Sequence, residues 1–126
     1  QENGVMACAK HFPGHGDVAV DSHYDLPVIQ KTRAQLDSLE LYPFRSLFAN
    51  GVGSVMVAHL SIPAIDAGQN RPTSLSYQNI TGLMREKLGY QGLTFTDALE
   101  MKGVAKFFPG GEAAIESLAA GNDMLC

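Results

Sequence analysis

Short apolar runs recur along the chain, and longer segments with helical spacing of their apolar residues separate them. The runs at residues 5–9, 54–58 and 93–96 are strand-sized and consist mainly of apolar or β-branched side chains. Runs of this kind predict buried β-strands, and residues 122–126 look like the start of a fourth. The chain is therefore expected to alternate strand, loop and helix.

Three helices are expected between these strands. Thr32 and Gln35 have the spacing of a capping box and lead into apolar residues at helical intervals. Pro43 is expected to kink or restart this first helix. Ser76 can cap a second helix, and residues 112–120 form a third, which a glycine ends.

The alternation predicts an α/β fold in which helices cover a parallel sheet. Polar residues fall where the strands end: Lys10 and His11 follow the first, His59 the second and Asp97 the third. A (β/α)8 barrel builds its active site from such positions, and the glycine motifs of nucleotide-binding open sheets are absent. Because a whole barrel needs roughly 250 residues, we predict a partial (β/α)8 TIM barrel of about four β/α units.

Composition narrows the functional classes. The 126 residues are 45% hydrophobic and carry a formal net charge of −4, which describes a globular domain. No basic surface points to nucleic acid or anionic lipid, and neither a membrane span nor a signal peptide is recognisable. Cys8 and Cys126 are predicted to be buried free thiols, because they make neither a disulfide framework nor a zinc motif.

The segment at residues 10–23 is the densest in ionisable side chains, with three His, two Asp and one Lys. Asp21 and His23 are two residues apart and can meet without tertiary help. A carboxylate beside an imidazole favours the protonated ring, which suits a general acid, although such a pair can also simply close a turn. Asp97 is either a nucleophile toward a sugar's anomeric carbon or the N-cap of the following helix.

The remaining polar candidates suit binding more than proton transfer. Lys10 and His11 can hydrogen-bond to substrate hydroxyls, because a Lys at the end of a buried strand rarely lacks a partner or a ligand. His15 is either a further site residue or a structural tie within the glycine-rich turn. His59 contacts either the substrate or the loop above it.

The motifs around these residues resemble those of one enzyme family. The segment KHFPGHGD at residues 10–17, followed by DSH at 21–23, is similar to the signature of the β-N-acetylglucosaminidase branch of the bacterial family 3 glycoside hydrolases. Further motifs continue the resemblance in the same order: GSVMVAH at 53–59, RPTSLS at 71–76, LGYQGL at 88–93, TDALEM at 96–101 and AGNDML at 120–125. The resemblance covers essentially the whole chain.

The resemblance implies a fold and a set of roles. The family's catalytic domain is a TIM barrel, of which residues 1–126 would form the C-terminal half, without the N-terminal half. Asp97 would be the nucleophile of a retaining mechanism. Asp21 and His23 would form the dyad that first protonates the leaving oxygen and later activates water.

The resemblance also implies which residues bind the substrate and what kind of substrate they bind. Lys10 and His11 would hold hydroxyls of an N-acetylglucosamine ring, with His59 as a further substrate-binding candidate, and neither a metal nor a cofactor is required. The substrate would be a peptidoglycan-derived muropeptide or a related amino-sugar glycoside. Such bacterial enzymes are cytoplasmic or exported, and some carry a downstream serine-hydrolase domain. Since the strands expected to supply further sugar-binding Asp and Arg residues lie outside these 126 residues, we predict that the isolated chain is nearly inactive.

Three other interpretations remain open. A β-glucosidase or a glycoside phosphorylase of the same family would share most of these motifs. A metal-dependent hydrolase is suggested by the His and Asp residues of the segment 10–23, although their spacing matches no known metal motif. A non-catalytic carbohydrate-binding domain is the third.

Overall fold

A three-stranded parallel sheet lies at the centre of the computed structural model, which describes residues 1–126. Its strands are β1 (Cys8–Phe12), β2 (Ser54–Val57) and β3 (Leu93–Thr96), in the order β1-β2-β3. Ser54 lies opposite both Cys8 on one side and Leu93 on the other, so the strands start at nearly the same level. The predicted α/β class with parallel strands is confirmed.

The end of the chain runs along the free side of β3. Phe95 and Met124 form a parallel bridge, and the backbone N–H of Leu99 donates to the carbonyl of Cys126 over 2.8 Å. The expected fourth strand is therefore present as a single bridge rather than a full ladder. This pairing holds the segment that follows β3, where Asp97 lies, between two neighbours.

Five helical segments and one short turn connect or follow the strands. They are α1 (Arg33–Ser38), α2 (Leu41–Ala49), a π-helical segment (Gln78–Lys87), α3 (Lys102–Ala105) and α4 (Glu112–Ala120), with a 3-10 turn at Thr73–Leu75 before the π-helical segment. The π-helical segment is the longest, at 10 residues. No helix has the length and apolar character needed to cross a membrane.

The helix caps follow the predicted chemistry. Thr32 and Gln35 form the complete capping box at the start of α1. The one helix expected there is divided, however, since α1 ends at Ser38 and α2 begins at Leu41. Pro43 lies in the first turn of α2, where its missing N–H costs no intrahelical hydrogen bond, so it restarts the helix rather than kinking it.

The core lies between the sheet and the helices. The side chains of Val55 and Val57 on β2 are fully buried, as are Leu83 and Met84 on the π-helical segment. Aromatic rings extend this packing toward α2, where Phe12 meets Phe44 edge-to-face with ring centroids 5.1 Å apart. The sheet is thus anchored on one side and keeps the carboxyl ends of its strands open.

The first strand differs from its prediction. It was expected at residues 5–9 but lies at Cys8–Phe12, because the residues of β2 pair with this later stretch. Val5 and Met6 are therefore exposed, with 73% and 59% of their surface accessible. The prediction of buried thiols is wrong for both Cys8 and Cys126, which are exposed: each lies on an outermost segment of the sheet.

Candidate active site

Polar side chains from the strand ends and from the loop after β1 surround one small cavity of about 240 Å³. None of its lining residues is hydrophobic. They are His11, His15, Asp21, Ser22, His23 and Asp97. The structure thus brings five of the ionisable residues singled out from the sequence into one place, although Asp97 is more than seventy positions from the others.

Asp97 is held by the sheet and by its own neighbour. It directly follows β3, and its backbone N–H donates to the Val57 carbonyl over 2.9 Å. Its Oδ1 accepts from the backbone N–H of Ala98 at 2.9 Å, whereas its Oδ2 accepts no hydrogen bond. The next helix begins at Lys102 without a side-chain cap, so Asp97 does not serve as a helix N-cap. One carboxylate oxygen is therefore fixed and the other is available.

His11 lies beside this available oxygen without forming an ion pair. Its Nε2 is 3.9 Å from Asp97 Oδ2, which is beyond hydrogen-bond distance. Burial lowers the pKa of His11 more than the Asp97 carboxylate raises it, and the positive charge of Lys10 lowers it further. The ring is consequently neutral at pH 7 and brings no positive charge to this side of Asp97.

Asp21 and His23 form a close pair on the other wall of the cavity. Asp21 Oδ1 accepts from the His23 backbone N–H at 2.9 Å and contacts its ring Nδ1 at 2.7 Å. These bonds, first that from the backbone N–H and then that from the ring, lower the pKa of the Asp21 carboxyl. Because an ionised carboxylate can only accept, Nδ1 carries a hydrogen and Nε2 is the nitrogen left for other chemistry.

His15 and Ser22 connect the two ends of this loop. The Nε2 of His15 lies 3.0 Å from the Oγ of Ser22. Ser22 is buried, and in the sequence it stands between Asp21 and His23. This contact matches the interpretation of His15 as a structural tie, because it joins the glycine-rich turn to the segment that carries Asp21 and His23.

The structure places the other two candidates outside the cavity. Lys10 is exposed, its ammonium group makes no hydrogen bond or ion pair within the chain, and its binding to a substrate stays a prediction. His59 is fully buried. Its Nδ1 contacts Ser74 Oγ at 2.7 Å and its Nε2 contacts the Ala98 carbonyl at 2.9 Å. With both nitrogens occupied, His59 is not available to a substrate, and that prediction is corrected.

Sequence reasoning missed the anchor of the loop. Lys31 contacts the Asp17 carboxylate at 2.8 Å and also pairs with the nearly buried Glu40. Gly14 lies against Glu40 with φ +136°, and a Cβ there would come within 2.7 Å of the Glu40 side chain. The glycines of the loop were a signal for a close approach, but nothing in the spacing of Lys31 and Glu40 identified the partner.

No three His, Cys, Asp or Glu side chains are grouped closely enough to hold a metal ion. The cavity presents two carboxylates in different surroundings, those of Asp21 and Asp97, and the imidazole of His23 lies within hydrogen-bond distance of Asp21. This is the kind of arrangement that supports nucleophilic and general acid–base chemistry.

Comparison with known proteins agrees with these features. The family model described as "Glycosyl hydrolase family 3 N terminal domain" matches residues 1–126. A curated protein named Beta-hexosaminidase A, from Pseudoalteromonas piscicida, is 44% identical over 96% of this chain. The Beta-hexosaminidase of Chromobacterium violaceum is 41% identical over 97% of the chain.

Solved structures give the same result. A glycoside hydrolase family 3 beta-N-acetylglucosaminidase from a Paenibacillus species superimposes with a TM-score of 0.95 at 47% identity and covers 98% of this chain. The beta-N-acetylglucosaminidase from Thermotoga maritima superimposes with a TM-score of 0.87 at 38% identity.

Coverage in the other direction is partial. The chain spans 22% and 33% of the two curated relatives and 23% of the Paenibacillus structure. These neighbours are TIM-barrel enzymes, so the predicted partial barrel is confirmed as the fold class. The residues matched, the superposition and the polar cavity at the strand ends together show that the chain belongs to glycosyl hydrolase family 3.

Proposed function

We propose that the full-length protein carrying this chain removes terminal β-linked N-acetylglucosamine from peptidoglycan-derived or related glycosides, with retention of configuration. The observation that carries the proposal is the shared cavity of Asp97 and the Asp21–His23 pair. A free carboxylate oxygen and a proton-carrying imidazole are the two groups that such a reaction needs. The names of the relatives, beta-hexosaminidase and beta-N-acetylglucosaminidase, support the substrate class.

In the first step, Asp97 Oδ2 attacks the anomeric carbon and forms an ester bond to the sugar. The bond between that carbon and the leaving oxygen breaks, and the protonated His23 gives its Nε2 hydrogen to this oxygen. In the second step, His23 takes a proton from water, and the water oxygen attacks the same carbon. The ester bond breaks and the Asp97 carboxylate is restored.

A histidine in the acid–base role has an electrostatic consequence. A second carboxylic acid would leave an anion facing Asp97 after donating its proton, whereas an imidazolium becomes neutral. The ionised Asp21 carboxylate, bonded to Nδ1, stabilises the cation before the transfer and keeps Nε2 toward the cavity. Asp21 therefore orients the ring and stabilises its charge, and it does not itself exchange a proton with the substrate.

Binding of the sugar requires more groups than the cavity holds. The neutral His11 lies next to Asp97 and can donate to a hydroxyl, and the adjacent Lys10, which is exposed and outside the cavity, is assigned to a hydroxyl farther from Asp97. We assign residues 1–126 to the C-terminal half of the barrel, so the other half would supply the remaining contacts. We therefore expect the isolated chain to be nearly inactive, and robust turnover by it would contradict this assignment.

The decisive test uses Asp97→Ala in the full-length protein, with a para-nitrophenyl N-acetyl-β-glucosaminide as substrate. The variant should lose about 10⁴-fold in kcat, because the bond-forming group is gone. Added azide, which can occupy the vacated space, should restore release of nitrophenol and yield the α-glycosyl azide. The exposed Glu86→Gln serves as the matched control and should keep wild-type rates.

The same assay separates the nearest alternatives. NMR should show the β-anomer as the first sugar product of the wild-type protein; the α-anomer would rule out a retaining mechanism. A rate that depends on inorganic phosphate, with a sugar phosphate as product, would indicate a phosphorylase. Equal or faster turnover of the corresponding glucoside would indicate a β-glucosidase.

A further inference from the structure

His59 does not line the cavity; it contacts the backbone of Ala98, the residue that follows Asp97. It is one of four histidines in the chain, and it is fully buried. Burial lowers the pKa of its imidazole more than the nearby groups raise it. Both ring nitrogens of a buried neutral histidine are hydrogen-bonded only if the nitrogen with the hydrogen faces an acceptor and the other nitrogen faces a donor.

The two partners determine the tautomer of this ring. The Ala98 carbonyl can only accept a hydrogen bond, so the Nε2 of His59, 2.9 Å away, carries the hydrogen. In the neutral ring Nδ1 then has a lone pair, and the Ser74 hydroxyl at 2.7 Å donates to it. A protonated ring would place a hydrogen between Nδ1 and Ser74, and the hydroxyl would have to turn away.

The residue that His59 holds is the one that orients Asp97. Ala98 uses its carbonyl for the ring and its N–H for Asp97 Oδ1, 2.9 Å away. The orientation of Ala98 therefore determines how its N–H meets the Asp97 carboxylate and which oxygen of that carboxylate stays free. With Oδ1 bound, Oδ2 is left toward His11 and the cavity.

The ring is in turn held by a buried polar frame. The Ser74 carbonyl accepts from the side-chain amide of Asn122 at 2.9 Å. The same amide group contacts the carbonyl and the hydroxyl of Ser117 on α4, at 3.1 and 2.8 Å. The chain of contacts runs from α4 through the 3-10 turn to His59 and ends at Ala98, so the frame ties the strand end to a helix.

We propose that His59 is a positioning residue: as a neutral ring with hydrogen on Nε2, it holds the carbonyl of Ala98 and so fixes the backbone of the residue whose N–H binds Asp97 Oδ1, which leaves Oδ2 aimed at the substrate. This inference rests on the proposed role of Asp97 as nucleophile. His59 itself touches neither the substrate nor the reacting atoms. Its contribution is to the geometry of attack, where a misplacement of about 1 Å can cost about 10²-fold in rate.

Two amide substitutions separate the two hydrogen bonds of the ring. In His59→Gln the side-chain amide reaches the position of Nε2 and can donate to the Ala98 carbonyl. In His59→Asn the shorter amide takes the position of Nδ1 and meets Ser74 only. Both variants replace the ring by a smaller polar group in the same buried place, so they serve as matched controls for each other.

The expected result is a difference in kcat between these variants of the full-length protein. His59→Asn should lose about 10²-fold in kcat with KM changed less than about twofold, whereas His59→Gln should stay within about threefold of the wild type. Equal losses in the two variants, or losses that follow the thermal unfolding midpoint, would overturn the proposal. Retained activity in Asp97→Ala would instead overturn the proposed function on which it rests.

A measurement on the wild-type protein covers the case in which neither variant folds. With ¹⁵N-labelled histidine, NMR should show that the His59 ring has hydrogen on Nε2 and none on Nδ1 at pH 7, and that this ring titrates with a pKa below the ordinary value of about 6.5. Hydrogen on Nδ1 of the His59 ring at pH 7, or titration of that ring with a pKa at or above its ordinary value, would overturn the proposal independently of any variant.

Discussion

The two walls of the cavity are built in different ways. Asp97 follows β3, has a side chain that is 24% exposed, and is followed by Ala98, whose carbonyl contacts the buried His59. Asp21 and His23 lie on a loop, with side chains 57% and 70% exposed. Their hydrogen bonds to each other span only two residues of chain. One wall is therefore determined by long-range packing and the other by local turn chemistry.

This difference indicates which wall of the cavity should be affected by substitutions far from it. The orientation of the proposed nucleophile depends on elements distant in sequence, because the hydrogen bonds from His59 to Ser74 and Ala98 and from Asn122 to Ser74 join separate segments. The internal geometry of the proposed acid–base pair needs no such help. Its position relative to Asp97, however, depends on the few contacts by which the loop meets the rest of the molecule.

The largest expected difference between the walls concerns the leaving group. His23→Ala should lower kcat by about 10²–10⁴-fold with a poor alkyl leaving group, because proton donation is then needed. With an activated nitrophenyl leaving group, the bond-breaking step should be affected much less. Asp97→Ala should be equally impaired with both substrates. Steady-state kinetics with the two glycosides measure this, and an identical loss in His23→Ala on both would remove His23 from the acid role.

A smaller effect is expected from the contact between α3 and the loop. The Gly103 N–H donates to the Ser22 carbonyl over 3.3 Å, and a Cβ at Gly103 would lie 3.0 Å from the carbonyls of Ser22 and Asp25. Gly103→Val should push the loop away and lower kcat about tenfold, in line with the sensitivity of such reactions to geometry. Gly111→Val is a control, because a side chain there meets nothing within 4 Å and the backbone has an ordinary φ of −83°.

The Gly103 variant also discriminates between the two walls. Displacement of the loop should reduce the rate more with the poor leaving group than with the activated one, as in His23→Ala. A uniform loss on both substrates would show instead that the substitution disturbs Asp97.

The loop anchor should matter for stability more than for chemistry. Lys31→Met removes the cation between Asp17 and the nearly buried Glu40, whose second oxygen already has no hydrogen-bond partner. The variant should unfold at a lower temperature, because a buried carboxylate is left unpaired. The double variant Lys31→Met, Glu40→Leu should recover part of the loss. Calorimetry tests this, and a double variant less stable than the single one would contradict the explanation.

The smallest expected effect is the contribution of the His59 imidazole to the pH dependence of the free energy of unfolding. Burial lowers the pKa of His59 in the folded protein, so below its ordinary value of about 6.5 the unfolded chain binds the proton more strongly. The free energy of unfolding should therefore decrease as the pH falls below about 6.5, by up to about 1.4 kcal/mol per pH unit for this one group. Folding is favoured most above that pH.

The matched variant isolates this contribution. His59→Gln cannot titrate and should show a shallower loss of stability between about pH 6.5 and pH 5 than the wild type. Thermal unfolding followed across this interval gives the comparison. Parallel curves for the two proteins would mean that His59 does not resist protonation in the folded state.

Features that depend on neighbours in sequence were predicted well. The capping box of Thr32 and Gln35 is complete, and α4 ends before Gly121, where the chain takes φ +110°. The contact between Asp21 and His23 was also anticipated from their spacing. In each case the bonds form within a few residues, so the local sequence contains both partners.

Features that depend on strand register were predicted less well. The apolar run at residues 5–9 reads as a strand by composition, yet the ladder with β2 selects Cys8–Phe12. The short helix α3 was not predicted, since four residues carry no recognisable periodicity. Composition measures the preference of a segment for burial, but pairing with another strand decides which residues are used.

By itself, the sequence determined the family, the alternation of strand and helix, the helix caps and the internal geometry of the Asp21–His23 pair. Only the tertiary structure decided that His59 holds Ala98 instead of a substrate, that Glu40 and Lys31 anchor the loop, and that His11 lies next to Asp97. The physical reason is that a polar side chain takes whichever partner the packing brings within about 3 Å. Spacing along the chain cannot specify that partner when the register of the sheet selects it.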